Sequence, residues 1–401
     1  MARLTYLPIG SPLQASPERQ ANAARILERE QRLSALRADA ALAWGEKYRQ
    51  RVHAKGKLTL EERLSALVDP GSRRFELGSL VHHGRSFAGR TAPRAGVFTG
   101  IAQVQQRWVM LIGNDNTVAS GAWWPGTPEK IQRAQSLALR LRIPVVYLVD
   151  SSGLFLPEQR HSFPGAQGAG GIFRMNSLLS DAGVVQLAAV LGDCIAGGGY
   201  MPIISDYVVM SEQAYMVIAG AALVGGAKHE LIDPLSIGGA DVHVHQSACA
   251  DARAPDDRAA IAMLRQQVAQ LPSSAHPFYR HGVCAAPPLF SPTELAQLLP
   301  SEPSQSYDIF EILARLLDDS LFCELLSGFG TELVTGVGRI SGLPVGIIAN
   351  RQGLCPDNVG ARAGGILYRD GICKLSLFSR ACDDDGLVLI WLQDVAGFDV
   401  G

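Results

Sequence analysis

From residue 96 to about 250, short uninterrupted apolar runs alternate with amphipathic stretches. Val109–Ile112, Pro144–Val149 and Val184–Leu191 read as buried strands, and Tyr207–Met210 and Met216–Ile218 as shorter ones. Between the first two, Pro128–Leu141 has helical spacing. Continuous apolar strands separated by helices indicate an α/β layer with parallel strands, because only a sheet covered on both faces hides every residue of a strand. Upstream, residues 16–50 predict one long helix, with Ser16 as cap and Pro17 in the first turn. Its arginines (Arg19, Arg25, Arg29, Arg32, Arg37) form either a solvated face or a surface for a partner or ligand phosphates. A second helix is expected at 59–68, closed by the turn Asp69-Pro70-Gly71-Ser72.

The pattern pauses at 270–305, where Pro272, Pro277, Pro287, Pro288, Pro292, Pro300 and Pro303 mark a linker, and then restarts. Tyr307–Leu317 and Gly371–Cys382 are helical. Leu333–Val337, Pro344–Ala349 and Gly386–Leu392 are strand-like. The expected division is an N-terminal helical segment (1–70), an α/β domain (71–270), a linker (271–305) and a second α/β domain (306–401). The halves echo each other. Met110–Gly113, a helix and Val145–Asp150 lead to Gly153; Val345–Ala349, a helix and Val388–Asp394 lead to Gly397. The same order of strand, helix, strand and Asp-x-x-Gly indicates an internal duplication. A long stretch follows Gly153, whereas Gly397 stands near Gly401, so the second domain is expected to be cut short.

Composition narrows the class. The chain has 401 residues, 47% hydrophobic and 18% charged, with 42 glycines, enough apolar sequence for a sizeable core. The formal net charge of −2 argues against a general nucleic-acid binder. Seven scattered cysteines without a C-x-x-C pair favour a reducing compartment over a zinc ribbon. With no secretory h-region and no long apolar span, a cytoplasmic location is expected.

The sharpest chemical feature is Gly192-Asp193-Cys194-Ile195-Ala196-Gly197-Gly198-Gly199-Tyr200. If a helix opens here, its free amides suit an anion or developing oxyanion; the alternative is close helix–strand packing that only glycine permits. The spacing is neither a dinucleotide fingerprint nor a P-loop. Ser120-Gly121-Ala122-Trp123-Trp124-Pro125-Gly126 offers indoles that either meet an adenine or acyl group or fill the core. Gly168–Arg174 reads as a loop, with Arg174 either an anion ligand or an ordinary surface residue. His161, His229, His243 and His245 are scattered. His243-x-His245 would share one face of a strand, but no third ligand has fitting spacing, so no metal is expected. No G-x-S-x-G motif exists. The chemistry points to backbone amides rather than a side-chain triad.

These motifs together resemble the β-type carboxyltransferase subunits of biotin-dependent acyl-CoA carboxylases, and the related α subunit of glutaconyl-CoA decarboxylase. The resemblance rests on Gly56–Arg63 with Leu67–Ser72, Asn114-Asp115, Tyr147–Gly153, Leu156-Pro157-x-Gln159, Ala196–Gly198 and Gly238–His243, in order over about 50–401. Leu156–Gln159 and Gly238–His243 are similar to methylcrotonyl- or geranyl-CoA carboxylase subunits. Gly121–Gly126, Ala196–Tyr200, Leu367–Gly371 and Trp391–Asp394 are similar to the decarboxylase subunit. Ala219–Lys228 departs from the family, which usually shows Gly-Pro-Pro there.

The resemblance implies an α/β fold of two crotonase-like (ClpP/crotonase) domains built of ββα units, the second apparently truncated. It implies carboxyl transfer between biotin, carried on a separate protein, and an acyl-CoA through an enolate, with no directly bound metal. Carried over, Gly197 and Gly198 hold the enolate oxygen. Ser120, Gly121, Ala122, Ser151, Gly153 and Gly199 line the acyl-CoA side. Asp394 and Gly397 belong to the biotin side. The implied partners are biotin carboxylase and biotin carrier subunits and further copies of the chain, as a dimer or hexamer. A membrane enters only through partner subunits, if the protein is a decarboxylase. Two other readings stand beside this one: a non-catalytic acyl-CoA-binding subunit, and a hydratase or isomerase, which would need a glutamate near 196–200, where the nearest is Glu212.

Overall fold

The computed structural model describes residues 4–272, 284–302, 305–357 and 360–400. They divide into two compact units, one of Ser34–Ser273 and one of Met1–Leu33 with Ser274–Gly401. The expected linker at 271–305 lies partly outside the described residues; within it, a short helical stretch covers Pro292–Leu298. No described helix is long and apolar enough to cross a membrane.

Residues 16–50 do not form one helix. Helix α1 (Pro17–Leu42) stops at Ala43 and Gly45, both left-handed at φ 54° and 82°, and α2 (Glu46–His53) restarts on a new axis. Glycine takes that conformation at little cost, so the chain can turn here. Thr59 and Glu62 then form a reciprocal capping box that fixes the start of α3 (Leu60–Leu67).

The Ser34–Ser273 unit is built on one sheet. Its strands are β1 (Phe75–Glu76), β2 (Val97–Val104), β3 (Arg107–Asn114), β4 (Val145–Ser151), β5 (Gln186–Ile195), β6 (Tyr207–Ser211), β7 (Tyr215–Val217) and β8 (Ala252–Ala254). The spatial order is β8-β6-β5-β4-β3-β2-β1, with β7 also paired to β5. From β3 to β8 the pairings are parallel, as the apolar runs predicted. Alternate residues face opposite layers. Met110, Ile112, Val145 and Tyr147 meet α4 (Thr127–Leu141) and α5 (Ala169–Asp181); Val109, Leu111, Val146 and Leu148 meet α3 and α7 (Asp257–Gln270). Helix α6 (Ala240–His245) lies between β7 and β8 in sequence.

The other unit repeats this plan. Strands β9 (Leu321–Leu325), β10 (Leu333–Ile340), β11 (Leu343–Asn350) and β12 (Val388–Leu392) lie in one sheet, with α8 (Ile309–Ala314) feeding one apolar layer and α9 (Arg369–Asp384) the other. Hairpins β2–β3 and β10–β11 each join two eight-residue strands through two left-handed residues, Gln105-Gln106 and Ser341-Gly342. Such turns match the twist of the paired strands. Val145 lies opposite Met110, the fourth residue of β3, and Leu389 opposite Gly346, the fourth of β11. Asp150 and Asp394 are therefore register equivalents, and the ββα repeat expected from the echo is present.

A buried lysine sharpens the equivalence. Lys130 Nζ on α4 donates to the carbonyls of Arg94 (3.0 Å) and Val97 (2.7 Å); Lys374 Nζ on α9 donates to those of Gly330 (3.4 Å) and Leu333 (2.7 Å). Val97 and Leu333 are each the first residue of their hairpin. Each ammonium thus ties its helix to one strand start. Burial lowers the Lys130 pKa to about 7 and that of Lys374 to about 8.

Candidate active site at the ends of two parallel strands

The C-terminal ends of β4 and β5 stand side by side, the place where open α/β sheets present ligands. The chain leaving β4 is held by a short ladder. Ser152 N donates to Ser120 O (3.0 Å), Trp123 N to Gly153 O (2.8 Å) and Phe155 N to Trp123 O (2.9 Å). Ser120, Gly121 and Ala122 are thereby brought against Ser151 and Gly153. The Ala119–Gly121 turn holds three left-handed residues in succession, at φ 48°, 53° and 72°. For non-glycine residues this costs on the order of 1–3 kcal/mol each and persists where surrounding structure imposes it. Gly121 is obligatory here: a methyl would lie 1.8 Å from the Asp150 carbonyl oxygen.

The glycine run follows β5 directly. Ala196, at φ 53°, turns the chain into a short 3-10 turn, Ala196–Gly199, continued by Tyr200–Ile203. Among the described residues, neither the Gly197 nor the Gly198 amide donates to a backbone carbonyl outside this short helical stretch. Packing does not demand these glycines. A methyl at Gly197 would lie 3.4 Å from Phe173 and 3.8 Å from Trp123, one at Gly198 3.6 Å from Ser151, and one at Gly199 3.5 Å from Met216. All are ordinary contacts, and none of the three has a positive φ. Close packing therefore accounts for Gly192 but not for Gly197, Gly198 and Gly199.

Beneath the strand ends lies a buried charge network. Asp150 takes Lys57 Nζ at 2.9 Å, Arg63 at 2.9 Å and Asn116 Nδ2 at 3.0 Å; Arg63 Nε also meets Asp257 at 2.8 Å, and its NH2 meets the Leu191 carbonyl at 2.8 Å. Gly192 makes room, since a methyl there would lie 2.2 Å from Asp150 Oδ1 and 2.5 Å from Lys57 Nζ. The separated motifs Gly56–Arg63 and Tyr147–Gly153, with Asn116 next to the Asn114-Asp115 pair, thus join in one electrostatic anchor at the end of β4.

A groove of about 1010 Å³ opens beside Ser120. Its lining includes Trp44, Tyr48, Arg51, Lys55, Lys57 and Arg90, with no carboxylate among its residues. Arg51 lies over Tyr48 (4.9 Å) and Arg90 over Trp44 (6.0 Å). Cations on indole and phenol faces suit a ligand that carries both phosphates and an aromatic base. Sequence reading did not find this groove. Its parts lie on α2 and around Arg90, and only their convergence distinguishes them from ordinary surface arginines and lysines.

The remaining candidate residues take the following places. Gly168–Gly171 is not a loop: Gly168 caps α5, which carries Arg174 on its exposed face. His243 and His245 lie on α6 rather than on a strand. Both indoles are buried in the core, Trp124 stacked on Phe155 at 3.9 Å and Trp123 beside Gly197. Asp394 belongs to the other unit, where it is exposed and accepts a hydrogen bond from the Tyr307 hydroxyl at 2.9 Å; its equivalent Asp150 is fully buried. Gly397 pairs with Ile366. Glu212 sits on the surface beside Arg253 at 3.3 Å. Burial, helped by Asp150 and Asp193, pushes the Cys194 thiol far up and disfavours its thiolate.

Comparison with known proteins follows the same lines. The family described as "Carboxyl transferase domain" matches residues 51–401. The chain is 37% identical over 365 residues to the biotin-dependent 3-methylcrotonyl-coenzyme A carboxylase beta1 subunit of Mycobacterium tuberculosis, covering 91% of this chain and 66% of that protein. It is 31% identical over 373 residues to glutaconyl-CoA decarboxylase subunit alpha of Acidaminococcus fermentans, covering 87% and 62%. The crystal structure of the P. aeruginosa geranyl-CoA carboxylase beta subunit superposes with a TM-score of 0.80 at 28% identity, over 98% of this chain and 71% of that one. The chain thus spans about three fifths to two thirds of the length of the curated relatives it matches. The crotonase-like architecture expected from the sequence is that of these neighbours.

Proposed function

The chain belongs to the carboxyl transferase domain family, and on that premise we propose that it is the carboxyltransferase subunit of a biotin-dependent acyl-CoA carboxylase. One observation carries the reading: Gly197 and Gly198 are glycines where a methyl would fit, at the meeting point of two parallel strand ends. In this role their amides hold the thioester oxygen as it becomes an enolate, a contribution on the order of 3–4 kcal/mol for each donor. Ser120, Gly121, Ala122, Ser151, Gly153 and Gly199 shape the acyl-CoA side. Arg51, Lys55 and Arg90 take the phosphates in the groove, with Trp44 for the base. No strong side-chain base is required, in keeping with the protonated thiol of Cys194 and the peripheral Glu212.

Biotin, borne on a carrier protein, supplies the carboxyl group and the proton acceptor when bound. Asp394 and Gly397 are assigned to its side on the family resemblance. The partners proposed are the biotin carboxylase and carrier subunits and further copies of this chain, in the cytoplasm. An enolate site serves either direction, and the 31% identity to glutaconyl-CoA decarboxylase subunit alpha keeps transfer from acyl-CoA to biotin as the second reading. The test offers 3-methylcrotonyl-, geranyl- and glutaconyl-CoA with free biotin or its carboxylated form to the purified chain, beside direct CoA-ester binding. Transfer in either direction supports the proposal and names the ester. Binding without transfer assigns an acyl-CoA-binding subunit instead. Turnover without biotin, or no binding at all, overturns the proposal.

A further inference from the structure

The sequence motif Gly238-Gly239-Ala240-Asp241-Val242-His243 lies outside the glycine run, yet it closes on a strand that packs against the run. Strand β7 has only three residues, Tyr215–Val217, paired with Asp193–Ile195 at the very end of β5. A ladder that short does not hold a strand by itself. Its other edge is gripped by the motif. Tyr215 bridges to Gly239, and Gly238 packs so closely that a methyl would lie 2.4 Å from the Met216 carbonyl oxygen. His243 completes the grip, its Nε2 lying 2.7 Å from that same oxygen and its Nδ1 2.8 Å from Ser247 Oγ. A carbonyl only accepts, so Nε2 carries the proton and donates. The Met216 side chain in turn lies under Gly199, 3.5 Å from where a methyl would stand. His245, two residues on, is exposed, with Asp241 at 4.0 Å.

We propose that His243 is a positioning residue: by holding the Met216 carbonyl it fixes β7, and through β7 the end of β5 and the Gly197–Gly199 amides. The inference rests on the reading of Gly197 and Gly198 as the enolate site for its catalytic consequence, but not for its structural one. Oxyanion donors work only when held in place, and a misplacement near 1 Å costs about 100-fold in rate.

The experiment compares the full chain with His243→Ala and His243→Gln by hydrogen exchange, thermal melting and carboxyl-transfer kinetics. Glutamine presents an N–H donor at about the reach of Nε2. In H243A, exchange across 193–200 is expected to quicken about 10-fold while α4 is unaffected, and kcat to fall about 10- to 100-fold with KM within about 3-fold. H243Q is expected to restore both. Unchanged exchange at 193–200 in H243A, or an H243Q variant as defective as H243A, overturns the proposal. If H243A does not fold, H243Q decides alone, and loss of protection in it is the overturning result. If the unaltered chain transfers no carboxyl group, the functional reading fails while the exchange data still decide the role of His243.

Discussion

Arg63→Met tests whether the network under β4 is the anchor it looks to be. Arg63 is fully buried and serves Asp257 at 2.8 Å, Asp150 at 2.9 Å and the Leu191 carbonyl at 2.8 Å. In its absence Asp150 keeps Lys57 and Asn116, but among the described residues Asp257 keeps only the Leu58 amide at 2.9 Å and no counter-ion. Removing one partner of such a pair costs about 3–5 kcal/mol, a large part of the ~5–15 kcal/mol available to a folded protein. Lys57→Met removes a side chain that is 10% exposed and leaves Asp150 still paired with Arg63, so about 1–2 kcal/mol is expected, at the low end for truncating a buried charged hydrogen bond. The double variant Arg63→Met/Asp257→Asn relieves the stranded charge and recovers about 0.5–3 kcal/mol relative to additivity. Urea unfolding followed by tryptophan fluorescence suits the measurement, since Trp44, Trp108, Trp123 and Trp124 all lie in the Ser34–Ser273 unit. A cost below about 1 kcal/mol for R63M, or a larger cost for Lys57→Met than for R63M, would refute the reasoning.

Two glycines should part company. Gly197→Ala is expected to melt within a few degrees of the unaltered chain yet lose about 100-fold in kcat, whereas Gly121→Ala, whose methyl would overlap the Asp150 carbonyl, should fail to fold stably by circular dichroism. In the groove, Arg90→Ala and Arg51→Ala are each expected to weaken CoA-ester binding about 10-fold, by 1–2 kcal/mol, with a loss that shrinks as salt rises in titration calorimetry. For Lys130, burial lowers the folded-state pKa to about 7 while the unfolded chain keeps the ordinary lysine value. Above pH 7 the unfolded state therefore holds more protons, and stability should rise with pH by up to about 1.4 kcal/mol per unit. Urea midpoints from pH 7 to 9 should show that slope, and Lys130→Met should reduce it, leaving the share of Lys374, whose pKa is lowered to about 8.

The strands were legible because they are buried on both faces: an unbroken run such as Val145–Val149 has no amphipathic alternative. The duplication was legible for the same reason, and its register places Asp150 and Asp394 at equivalent points. That equivalence of position is not one of environment. Asp150 is enclosed by Lys57, Arg63 and Asn116, whereas Asp394 is exposed beside Tyr307. Spacing along one strand carries no information about counter-ions delivered from sixty or more residues away. The break at Ala43–Gly45 was hidden by a lone glycine in an otherwise helical composition, and the helical placement of His243 by a period-two pattern that six residues can satisfy either way. The groove was hidden because Arg51, Lys55 and Arg90 are individually surface residues. The glycine run marks the opposite case. Three adjacent glycines left packing and ligand approach open as explanations in the sequence, and the structure bears on the packing one by a simple measure. Where glycine is needed for packing, as at Gly121 and Gly192, a methyl would fall within 2.2 Å of a neighbour; at Gly197, Gly198 and Gly199 it would stand 3.4 Å or more away. Glycines that packing does not require, beside a strained Ala196 and above an anchored strand end, are what the proposed oxyanion role asks for at Gly197 and Gly198.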